Sequence, residues 1–60
     1  MTNYIISWTS NITGFTGQGT HAFSKLNIIN EYLKKINKQY PYITHIAIRA
    51  PLGTPLLKIN

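Results

Sequence analysis

A chain of 60 residues with six Lys or Arg, one Asp or Glu, two His and a formal charge of +5 describes one small, strongly basic domain, 1–60. There is no cysteine to form a disulfide, and His21 and His45 alone cannot supply the donor set of a structural zinc, so neither metal nor cofactor is expected. No apolar run approaches the roughly 20 residues of a membrane span, and no signal-peptide pattern opens the chain; the expected setting is the cell interior, neither secreted nor membrane-bound.

From Tyr4 to Ser10 polar and apolar residues alternate with period two, which predicts a strand over 4–10. Tyr4, Ile6 and Trp8 point one way, and Ile5, Ser7 and Thr9 the other. The following segment contains Gly14, Gly17 and Gly19, and is read as a glycine-rich loop or, preferably, an irregular strand within 12–18 folding back on the first. Ile12 and Phe15 then need apolar neighbours.

Leu26, Ile29, Leu33 and Ile36 recur at helical spacing, which predicts a helix over 24–39. Ser24 is placed as its N-cap, Phe23 and Ile28 as a hydrophobic staple, and Lys34, Lys35 and Lys38 lie toward its negative end. Tyr42 to Arg49 alternate again and are rich in β-branched residues, predicting a strand over 42–49. Leu56 to Ile59 suit a short edge strand, 56–59, behind Pro55. The product is an α+β fold: a small twisted sheet of three to four strands, covered on one face by a single helix. A strand, a crossover helix and a strand predict parallel pairing of 4–10 with 42–49, and a core face of Tyr4, Ile6, Trp8, Tyr42, Ile46 and Ile48. The uncovered face would then show His45 and Arg49 and lack stacking aromatics.

Few catalytic constellations have their parts. Glu31 is the sole acidic side chain, so carboxylate pairs and Ser-His-Asp triads are excluded. Metal-independent RNA cleavage by His21 and His45 with a nearby cation is the one chemistry left, and no spacing forces the two imidazoles together; a non-enzyme is expected. The Gly14 to Gly19 string precedes a helix, as anion loops do, which makes Gly17, Gly19 and Ser24 candidate anion-binding positions. Its order matches neither a dinucleotide fingerprint nor a P-loop, so bulges and turns explain the glycines better.

Positive charge almost unopposed by negative charge favours phosphate backbones or acidic proteins as partners. The expected function is a small basic binding protein contacting nucleic-acid phosphates through Lys25, Lys34, Lys35, Lys38, Arg49 and Lys58, with little sequence specificity. The Ile, Asn and Lys bias suits an accessory protein of a phage, mobile element or virus. The alternative is a protein-interaction module that self-associates and meets an acidic protein. Seven large rings are more than one helix on a small sheet can enclose, and a homo-oligomer would supply a second layer.

Overall fold

The computed structural model describes residues 2–57 and contains, in chain order, β1 (Tyr4–Ser10), β2 (Thr16–Gln18), α1 (Leu26–Gln39) and β3 (Ile43–Arg49). The three strands form one sheet in the order β2-β1-β3, and the helix packs on it, an α+β fold as the alternating and helical periods imply.

Residues 11–14 make a tight reversal between β1 and β2. The Ser10 hydroxyl accepts from the Ile12 and Thr13 amides at 3.3 and 3.2 Å, the Gly14 amide donates to the Ser10 carbonyl, and Gly14 turns the chain at φ 78°. That positive φ is what glycine supplies without a Cβ clash. The expected strand over 12–18 therefore shortens to Thr16–Gln18. Ile12 and Phe15 find no shelter and stay 75% and 71% exposed.

Beyond β2 the chain continues alongside β1. Gly19 donates its amide to Ile6, and Phe23 exchanges both backbone bonds with Tyr4, so two steps along β1 face four along the returning chain. The surplus forms a bulge at Thr20 and His21. Ala22 turns its backbone the other way, donating to Pro55 and accepting from Leu57, which attaches the C-terminal segment to the sheet edge. Leu56 joins only as an isolated bridge to Ala22; Lys58 and Ile59, in the expected strand 56–59, lie outside the described residues.

This return strand corrects the expected parallel pairing, because β1 and β3 are antiparallel. The chain has already come back to the Tyr4 end at Phe23 before α1 begins. The helix then carries it to the far end, and β3 must run back. The parallel relation lies between β2 and β3, which flank β1 and both run opposite to it.

Register corrects the expected core face of β3. Directly opposed residues of an antiparallel pair share a face. Tyr4, Ile6 and Trp8 oppose Arg49, Ala47 and His45, so the helix-covered face carries Ile43, His45 and Ala47, not Ile46 and Ile48. By the same alternation Tyr42 belongs with Ile46 and Ile48 on the opposite face. Tyr42 and Ile46 are 67% and 53% exposed there, while His45 is buried. A strand with isoleucines on both faces leaves its orientation to its neighbours, and a one-residue shift inverts every side chain.

Ile29, fully buried, anchors the helix, and the Phe23 and Tyr32 rings meet at 6.0 Å. Residue 24 is not the N-cap. Lys25 takes that place with extended backbone, its side chain makes no capping bond, and the expected start at 24 moves to Leu26. Behind the sheet, Ile5 and Ala22 are closed off beside the C-terminal segment.

Candidate nucleic-acid interface

Lys34, Lys35 and Lys38 are exposed on the final turns of α1. At about 100° per residue they span an arc of about 100°. Ile29, Leu33 and Ile36 occupy the opposite side, against the sheet, so the amphipathic pattern that buries the helix also aims the lysines at solvent. Asn27 and Glu31 share this outer arc; Glu31 is the only acid in the chain, so the arc keeps a net positive charge. Lys25 stands exposed at the start of the same helix. Arg49 is exposed at the last position of β3 and opposes Tyr4, away from the His45 end where α1 finishes. Lys58 lies outside the described residues. Four of the six expected cations thus belong to one helix and Arg49 stands apart.

The glycine segment is organised differently from an anion loop. Gly17 lies within β2 opposite Trp8, where an added Cβ would collide with the indole. Gly19 commits its amide to Ile6 at 2.8 Å, and Ser24 is exposed outside the helix. Gly17, with no Cβ, lets the return strand pass under Trp8.

The two histidines occupy separate places. His21 is exposed in the bulge, 2.9 Å from the Thr20 hydroxyl, on the rim of an apolar cleft of about 460 Å³ walled by Ile6, Phe23, Ile28, Tyr32 and Leu57. His45 is buried and borders a different cleft, with Trp8, Ile36, Tyr40 and Ile43. Asn37 Oδ1 accepts from the His45 amide at 2.8 Å and lies 3.0 Å from His45 Nδ1. An acceptor oxygen requires a proton on Nδ1, so that ring nitrogen is the donor in this contact. The pair needed to flank one scissile phosphate is not assembled. No group of three or more metal-ligating side chains occurs among the described residues.

Asn37 was not singled out by the sequence, though a signal existed. It falls among Leu33, Ile36 and Tyr40 on the inner side of the helix, where a polar side chain needs a partner. It finds three: besides the two His45 nitrogens, its Nδ2 donates to the His45 carbonyl at 3.1 Å. The side-chain amide bonds both backbone groups of one edge residue, as a neighbouring strand would.

The uncovered sheet face carries Ser7, Thr9, Tyr42, Thr44 and Ile46, with Thr16 and Gln18 on β2. Among the described residues it has no charged side chain, and against expectation it holds one exposed ring, Tyr42. No described helix is long and apolar enough to cross a membrane. The chain matches no protein-family model, no curated protein and no solved structure with which it was compared.

Proposed function

We propose that this is a small basic binding protein that grips nucleic-acid phosphates through the outer arc of α1, with little discrimination among sequences, as an accessory component inside a cell. One observation carries this reading: Lys34, Lys35 and Lys38 share a single exposed arc opposite the packed side of the helix. Lysine offers a mobile point charge, suited to phosphates along a backbone and poor at reading base edges. A lone Tyr42 on the sheet gives a base one place to stack, fewer than the two or three rings of a sheet that reads RNA. Lys25, at the opposite end of the helix and off the outer arc, and Arg49, at the end of β3, contribute less.

Fluorescence anisotropy with random single-stranded DNA, duplex DNA and RNA tests the proposal. Three neutralised phosphates give a slope of log affinity against log salt of about −2.7 on duplex DNA. Replacing Lys34, Lys35 and Lys38 with Glu should abolish binding, whereas Arg49→Gln should change the slope by less than about one. Absence of any complex at about 50 mM salt would overturn the reading.

The uncharged sheet face favours a second reading, in which the chain is an interaction module that self-associates, leaving the lysines for an acidic protein. A pull-down comparing the chain with its triple Glu variant separates nucleic acid from acidic protein.

A further inference from the structure

The outer edge of β3 has two halves. Two bonds fix the phase of its backbone: the Asn11 amide donates to Tyr42, and the Ala50 amide donates to Asn3, each at 2.8 Å. Even-numbered residues of the strand therefore turn their amides and carbonyls toward β1, and Ile43, His45, Ala47 and Arg49 turn theirs outward. Ile43 donates to the Tyr40 carbonyl at 3.1 Å, and His45 is held on both sides by Asn37. Ala47 and Arg49 have no backbone partner among the described residues. Past them the edge closes again, because Pro51 has no amide hydrogen and its carbonyl accepts from the Thr54 amide and hydroxyl at 3.2 and 2.7 Å. What remains is a short open ladder bounded by a clasp at one end and a proline turn at the other.

We propose that this ladder pairs with itself: two copies join antiparallel along β3, Ala47 of each opposite Arg49 of the other, into a continuous six-stranded sheet. It sharpens the self-association reading to one edge and does not depend on phosphate binding.

Three registers use these residues, and two are disfavoured by groups already described. Centring the two-fold on Ala47 sets His45 against the second copy's Arg49 and must pull Asn37 off the edge. Centring it on Arg49 puts like charges face to face and sets Ala47 against Pro51, which has no amide to give. Centring it on Ile48 brings only Pro51 opposite His45, where the chain has already left the strand and turned back beside Thr2 and Asn3, so Asn37 keeps its place, and all four free backbone groups of each copy are satisfied by the same groups of the other. Ile48 then meets Ile48 on the uncharged face, where a chain of charge +5 tolerates its own copy best.

The helix supplies apolar surface beside this edge. Leu26, Asn30 and Leu33 precede Asn37 at helical spacing and so share its flank, and Leu26 is 47% exposed. A contact of this length is small beside the roughly 1,600 Å² of a standard interface, so dissociation is expected in the micromolar to sub-millimolar range.

Sedimentation equilibrium of the intact chain from about 5 µM to 1 mM, with amide hydrogen exchange at both limits, tests the proposal. The expected result is a dimer whose formation slows exchange at Ala47 and Arg49 while the His45 amide, clasped in the monomer, is unchanged. Ala47→Glu sets a carboxylate across from the second copy's Arg49 twice per dimer and should tighten association a few-fold to about tenfold; Ala47→Lys should weaken it similarly. Positions 47 and 48 are both partly covered, so Ile48→Lys on the other face is read beside its circular dichroism: the expected result is a monomer with an unchanged spectrum, and a dimer that persists in this variant would overturn the edge assignment. A monomer at about 1 mM would overturn both self-association and the edge assignment. A dimer with concentration-independent exchange at Ala47 and Arg49 would overturn the edge alone.

Discussion

The two faces of the sheet are bound by different means. On the helix side Ile29 is fully buried, Phe23 meets Tyr32, and a buried histidine is tied to Asn37; on the far side Ile5 and Ala22 are shut in at one end, while Tyr42, Thr44 and Ile46 stay open at the other. A histidine lies inside while an isoleucine from the same strand lies outside. Cross-strand register decides which side chains face the helix, and hydrogen bonding then makes the polar one tolerable.

The largest effect should come from the helix side. Ile29→Ala removes the one fully buried side chain of α1 and should cost about 2–4 kcal/mol in urea denaturation, enough to unfold much of the population of so small a domain. Asn37→Leu keeps similar bulk but strips the His45 backbone of both partners; a loss of about 1–3 kcal/mol is expected, with fast exchange appearing at the His45 amide. Retention of wild-type stability in that variant would mean the clasp is incidental. At the open end, Ile46→Thr keeps a β-branched side chain at a half-exposed site and should shift stability by no more than about 0.5 kcal/mol. A larger loss would show that the face is covered in solution.

Much of the architecture was legible. β1 occupies 4–10 as its alternation implies, the helix ends at Gln39 ahead of Pro41, and β3 begins one residue after the expected 42. The helix start misled because Ser24 is a good capping type in a plausible place, yet the chain is still extended at Lys25 as it leaves Phe23, itself bonded to Tyr4. The lysine arc could be placed from sequence, since residues three and four apart share a helix face. The separation of His21 from His45 could not, because a bulge puts one in a loop and the strand pairing puts the other under the helix.

The sequence by itself determined that these residues form strands and a helix, and that the helix turns its lysines outward, because period and propensity are local properties. Only the tertiary structure decided that β3 runs against β1, which of its faces is buried, that Asn37 stands in for a neighbouring strand at His45, and that the edge at Ala47 and Arg49 is left open. Those outcomes depend on where a bulged return strand delivers the chain before the helix starts. That is settled by hydrogen bonds between residues far apart in sequence, on which local patterns carry no information.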